Sequence, residues 1–145
     1  MNTLKKYANI SVDFDKLTGE VVDCIFHVHA ELGAGLLEKI YEEALCNEFG
    51  RRGISFEKQK KLDVFYKGDL LPLKYQLDLI VEDCVVLELK TVDKLTSVHE
   101  AQLISYLQLA NAPVGFLVNF NVPLIKDGIK RLVSKNLLRS SDTPC

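Results

Sequence analysis

A chain of 145 residues that is 48% apolar and 26% charged has the length and balance of one soluble domain with its own core. A net charge of −2 and a pI near 5.9 exclude a global basic field, which weighs against a large non-specific nucleic-acid binder but leaves room for a local basic rim. Cys24, Cys46, Cys84 and Cys145 are dispersed without a CxxC pair, so zinc or iron–sulfur spacing and a small-domain disulfide framework are absent. The first three sit in apolar contexts, as small core residues do. No run approaches the ~20 apolar residues that span a bilayer, and the opening residues lack a signal-peptide core, so a cytoplasmic chain with no membrane partner is expected.

Residues 1–14 read as a loosely ordered N-terminal segment, 139–145 as a polar tail and 15–138 as a single domain. Over 15–32, Leu17, Val21, Ile25, Val28 and Leu32 recur at helical spacing. His27 and His29 lie two apart in that helix and point in different directions, so they are expected at its surface or boundary rather than on a metal. Gly33 and Gly35 end the helix in a turn. A second helix is expected over 36–52, stopped by Gly53, with an apolar stripe of Leu37, Ile40, Tyr41, Ala44, Leu45 and Phe49. Glu38 and Glu42 flank that stripe, where periodicity alone makes them solubilising residues.

From 54 to 66 the pattern turns β-like, and Lys58, Lys60 and Lys61 form a modest basic patch of the kind that guards a strand edge. Lys67, Gly68 and Asp69 make a turn, and Pro72 suggests an edge or bulge. Two apolar runs, 77–81 and 85–89, then flank the polar Glu82 and Asp83 and predict a β-hairpin. Alternation puts Glu88 and Lys90 on one face and Leu87 and Leu89 on the other, and a tight turn brings Asp78 level with Glu88. Two carboxylates and an ammonium on an otherwise apolar ribbon are costly to bury unless they are paired or hold a metal.

After Lys90, Ser97 and Glu100 have the spacing of a capping box, opening a helix that runs to Asn111. Gln102 and Tyr106 share one face of it, beside Leu103, Leu107 and Ala110. Residues 114–120 form an unbroken apolar run suited to a strand buried on both faces. Ile129, Leu132 and Val133 mark one more element that fits either period.

This order, with a hairpin carrying D…E-x-K, resembles the PD-(D/E)XK nuclease superfamily. Within it, Gly35, Glu38 and Tyr41 stand at the spacing that names the GxxExxY family of small bacterial and archaeal proteins. Gln102 and Tyr106 match a QxxxY motif, and Val118, Asn119 and Phe120 extend the likeness. D…E-x-K alone is a weak signal; the three motifs in this order are a specific one. The resemblance implies an α/β fold with a restriction-endonuclease-like αβββαβ core, a mixed central sheet flanked by helices. It also implies divalent metal, Mg²⁺ with Mn²⁺ able to substitute, on Asp78 and Glu88, with Glu38 as a further ligand or water-holding group. Lys90 would orient the attacking water, and Gln102 and Tyr106 would lie beside the active site. The residue before Asp78 is Leu77 where the superfamily often has proline.

Phosphodiester hydrolysis suits such a set, because Mg²⁺ takes one or two carboxylates, keeps several waters and neutralises charge on the phosphorane. The expectation is therefore a divalent-metal-dependent nuclease acting on nucleic acid, DNA first, and working as a homodimer because one compact domain leaves little surface for a long duplex. The alternative is a catalytically silent module with the same fold that binds nucleic acid or a protein partner; the acidic pI favours it, and the complete charged set favours the enzyme. Other phosphoesters fit the same metal chemistry.

Overall fold

In the computed structural model, which describes residues 10–134, these periodicities resolve into helices α1 (Ile10–Leu32) and α2 (Glu38–Arg51), strands β1 (Phe56–Tyr66), β2 (Asp69–Val81) and β3 (Val85–Lys90), helix α3 (Ser97–Ala110), strand β4 (Val114–Asn119), a short 3-10 helix (Ile125–Gly128) and strand β5 (Ile129–Val133). The strands form one sheet in the order β1-β2-β3-β4-β5. All neighbours are antiparallel except β3 and β4, which are parallel and joined through α3. A parallel pair needs such a crossover, and it buries both strands on both faces. The result is an α/β fold with a mixed sheet between helices, as the resemblance implies.

Strand alternation sorts the central residues into two cores. Val85, Leu87 and Leu89 of β3, with Val114, Phe116 and Val118 of β4, pack against Val21, Ile25 and Val28 of α1 and Tyr41, Leu45 and Phe49 of α2. Val86 and Leu117 face the other way, onto Leu103 and Leu107 of α3. Gly115 permits that contact: a Cβ there would lie 2.9 Å from the Leu103 side chain. Arg52 ties the first layer together, donating to Asp23 of α1 at 2.8 Å and Glu48 of α2 at 3.0 Å. Among the described residues no helix is long and apolar enough to cross a membrane.

Several elements depart from the expected boundaries. Helix α1 begins at Ile10, so residues 10–14 of the expected loose segment are helical; residues 1–9 and the tail 139–145 lie outside the described residues. Strand β2 does not start near Leu77 but runs 13 residues from Asp69, straight through Pro72. The proline sits where the register slips, two steps on β1 (Asp63 to Phe65) against four on β2 (Lys74 to Leu70), a bulge that spares it a ladder donor. The capping box of α3 is built one residue earlier than expected, on Thr96 and His99. The buried face of α2 includes Glu42 and omits the exposed Leu37 and Ile40. His29 is buried, with its Nε2 2.8 Å from the Val122 carbonyl and its ring over Phe120, while His27 is exposed. The last element is a strand, β5.

Candidate active site

The hairpin turn fixes the level of the key carboxylates. Glu82 and Asp83 both take positive φ, and the Cys84 N–H donates to the Val81 carbonyl at 3.0 Å, the tight turn that matches strand twist. The register that follows pairs Val81 with Val85 and Leu79 with Leu87, which carries Asp78 opposite Glu88. There the backbone ladder stops and side chains take over. The Asp78 N–H donates to Glu88 Oε1 at 3.2 Å, and the Leu89 N–H donates to Asp78 Oδ2 at 2.8 Å. Each carboxylate is thus held by the backbone of the opposite strand.

Asp78 also sits where two strands change phase. Leu77 and Leu79 are two apart and should share a face, yet Leu79 lies in the α1/α2 core and Leu77 in the α3 core. On β1, Phe56 packs against the first core and Leu62 lies in the second, another breach of alternation. The register pairs Lys58 with Leu79 and Lys60 with Leu77, so the residue level with Asp78 is Gln59, which has a left-handed φ of 55°. A non-glycine residue in that region is a local cost that the surrounding structure must enforce.

Helix α2 brings Glu38 to the same place. The chain turns through Gly35, whose φ of 96° suits glycine. The Tyr41 hydroxyl then staples the turn, donating to the Gly33 carbonyl at 2.6 Å and accepting from the Leu36 N–H at 3.1 Å. The Tyr41 ring stacks on Phe120, 4.3 Å between centroids, and anchors the helix to the end of β4. Gly35, Glu38 and Tyr41 therefore act as one device: the glycine makes the turn, the tyrosine locks it, and the glutamate stands in the first turn of α2, where the helix dipole favours an anion.

Glu38, Lys39, Glu42, Gln59 and Asp78 line a cavity of ≈ 240 Å³. Its electrostatics are those of crowded acids. Burial, reinforced by Asp78, pushes the Glu88 carboxyl up to about 8. Burial also raises Asp78, offset by the bond from the Leu89 N–H, and raises Glu38, with Asp78 adding to it. Lys90, at the end of β3, opposes the rise at all three, which places its ammonium within the field of the cluster. From the α3 side, the Tyr106 hydroxyl is raised by burial and by Glu88, and its ring meets Tyr75 edge-on at 5.2 Å.

The fold thus sets Asp78 against Glu88 and brings Glu38, Lys90 and Tyr106 close enough to act on them electrostatically. Gln102 stands exposed on α3, one turn before Tyr106. Among the described residues no three Asp, Glu, His or Cys side chains form a ready-made metal cage. The donor set is a pair of facing carboxylates with a third across the cavity, which suits a hard cation that keeps its own waters. Glu42 and Gln59, which both face this cavity, were missed from sequence. Glu42, 3% exposed, is held by Gln59 Nε2 and by Lys39 Nζ at 3.3 Å, and does not solubilise the helix edge. Its one signal is its position, a helical turn after Glu38 and next to Tyr41.

A family model described as the PD-(D/E)XK nuclease superfamily matches residues 15–132. No curated protein matches the sequence. The crystal structure of SSO0001 is similar at 19% identity with a TM-score of 0.42, over 88% of this chain and 56% of that one, so the present chain spans little more than half of its length.

Proposed function

Because this chain belongs to the PD-(D/E)XK nuclease superfamily, we propose that it is a divalent-metal-dependent phosphodiester hydrolase acting on nucleic acid, DNA first, and that it falls in the GxxExxY branch. The observation that carries the reading is the pair Asp78 and Glu88, held face to face at the point where the backbone ladder opens. A fold seeking stability alone would close that ladder with apolar side chains. Asp78 and Glu88 would hold Mg²⁺ or Mn²⁺, with Glu38 reaching it directly or through water. The metal, when bound, would supply an activated water and neutralise charge on the phosphoryl group. Lys90 would orient that water and meet the phosphate, and Tyr106 would close the α3 side of the site. Gln102, from its exposed position, would contact substrate rather than metal.

The test is a panel of single- and double-stranded DNA and RNA with Mg²⁺ or Mn²⁺, comparing wild type with Lys90→Ala. Metal-dependent cleavage lost in the variant is expected; cleavage unaffected by Lys90→Ala overturns the assignment. Calorimetric metal binding should weaken in Glu88→Ala, and equal affinity would remove Glu88 from the ligand set. The acidic pI favours the second reading, a silent nuclease-fold module that binds nucleic acid or protein. That reading gains if nucleic acid binds but no substrate is cut with either metal. A cytoplasmic homodimer belongs to the leading proposal. Phe65, Tyr66, Leu70 and Leu73 on the projecting β1–β2 hairpin supply exposed apolar surface for it, and a monomer by light scattering would refute it.

A further inference from the structure

We propose that Lys39 is a phosphate-contacting residue of this site, held over the cavity by Glu42 and Gln59; the inference rests on the nuclease reading. The cavity is lined by the acids Glu38, Glu42 and Asp78, the amide of Gln59 and a single cation, Lys39. A helical lysine paired with a glutamate three residues on is ordinarily a solvated surface contact. This pair is not of that kind. The side chain of Glu42 is 4% exposed, whereas that of Lys39 is 71% exposed. A buried carboxylate is therefore anchoring an ammonium that faces solvent across the mouth of the site.

The anchor is itself anchored. One Glu42 oxygen accepts from Lys39 Nζ at 3.3 Å and the other accepts from Gln59 Nε2. Gln59 is the left-handed residue level with Asp78, so the backbone departs from the strand where its amide reaches Glu42. Backbone irregularity, buried carboxylate and exposed ammonium form one chain, and it ends beside Asp78. Lys39 also follows Glu38 in the first turn of α2, and its charge reaches both Glu38 and Asp78. A polyanion entering a site walled by carboxylates needs cations at the rim as well as at the centre. Lys90 serves the centre from β3, and Lys39 serves the rim from α2. A cation fixed by a buried partner binds phosphate without sequence preference and adds to the salt dependence of binding.

The test is binding of short fluorescent DNA and RNA oligonucleotides, by anisotropy across a salt series, with Ca²⁺ replacing Mg²⁺ so that strands stay intact. For Lys39→Gln the slope of log affinity against log salt should shrink by roughly 0.7–0.9, the loss of one phosphate contact, with affinity falling alike for every sequence. Lys39→Arg should retain the slope. Lys16→Gln, the same charge change on α1, should leave it unaltered. Glu42→Gln should change affinity in the wild-type background and not in the Lys39→Gln background. A wild-type slope in Lys39→Gln overturns the contact, and equal Glu42→Gln effects in both backgrounds overturn the positioning. If the wild type binds no oligonucleotide at any salt, the nuclease reading itself falls; if it binds and Lys39→Gln binds identically, only this inference does.

Discussion

Substituting Glu88 by glutamine should flatten the pH dependence that the site imposes on folding. The Glu88 carboxyl titrates near 4.5 in an unfolded chain and is pushed up to about 8 in the fold by burial and then by Asp78. Between those values the folded state holds a proton that the unfolded state has lost. The sign follows from linkage: the stabilisation is fully present below about pH 4.5 and is lost as pH rises toward 8. At about 1.4 kcal/mol per pH unit, the interval from 4.5 to about 8 sets a ceiling of roughly 5 kcal/mol. Asp78 is raised as well and adds in the same direction. A loss of a few kcal/mol across the window is therefore expected, or about 2–4 °C in Tm for each kcal/mol in a chain of this size.

Glutamine keeps a neutral oxygen for the Asp78 N–H and cannot ionise. Urea unfolding in the presence of a chelator, repeated from about pH 5 to 8, should show wild-type stability falling and the Glu88→Gln curve clearly flatter. The two should agree near the acid end and diverge toward pH 8. On the proposed metal assignment, added Mg²⁺ or Mn²⁺ should favour the ionised pair, levelling the wild-type curve while leaving the variant unmoved. Parallel curves for the two proteins, or wild-type stability that rises across the window without metal, would refute the reasoning.

Two further outcomes follow from the geometry around the carboxylates. Tyr41→Phe removes the hydroxyl that bonds Gly33 and Leu36, at a cost of about 1–2 kcal/mol in urea unfolding. It should also lower cleavage beyond what that loss explains, because the turn that carries Glu38 loosens; unchanged cleavage would separate the tyrosine from the site. Gly128→Ala places a Cβ 2.1 Å from the Asn119 carbonyl oxygen, so a loss of at least ~2 kcal/mol in thermal unfolding is expected. A melt within error of the wild type would mean that the 3-10 helix yields without strain.

The hairpin was legible because three local rules agree on it: apolar runs, a polar break and strict alternation on β3. Glu88 and Lys90 could be assigned a shared face, and Asp78 a level, before any tertiary contact was known. Elsewhere a local rule was satisfied twice over. Thr96 and Ser97 are adjacent hydroxyl residues, and either can cap α3. Thr96 does so because the His99 ring can return a bond to its N–H at 3.0 Å, a partner the usual box does not name. Pro72 reads as an edge or bulge because proline lacks a donor, and the register slip beside it is such a bulge, though the strand runs on through it.

Glu42 and Gln59 escaped for a deeper reason. A glutamate on the flank of a helical stripe has the same sequence signature whether it meets water or a neighbouring strand. A glutamine with a left-handed φ has no signature, since glycine, asparagine and aspartate are the residues that announce such a turn. What decides both is the phase change that β1 and β2 undergo together at Gln59 and Asp78. That change carries a local cost: it interrupts alternation on two strands, holds a non-glycine residue in an unfavourable conformation and coincides with the end of the β2–β3 ladder. Its product is a cavity in which α2, β1 and β2 present polar groups where a regular sheet would present apolar ones. Regular sequence rules fail at this level of the sheet because alternation breaks on both strands at once, which is where the proposed site lies.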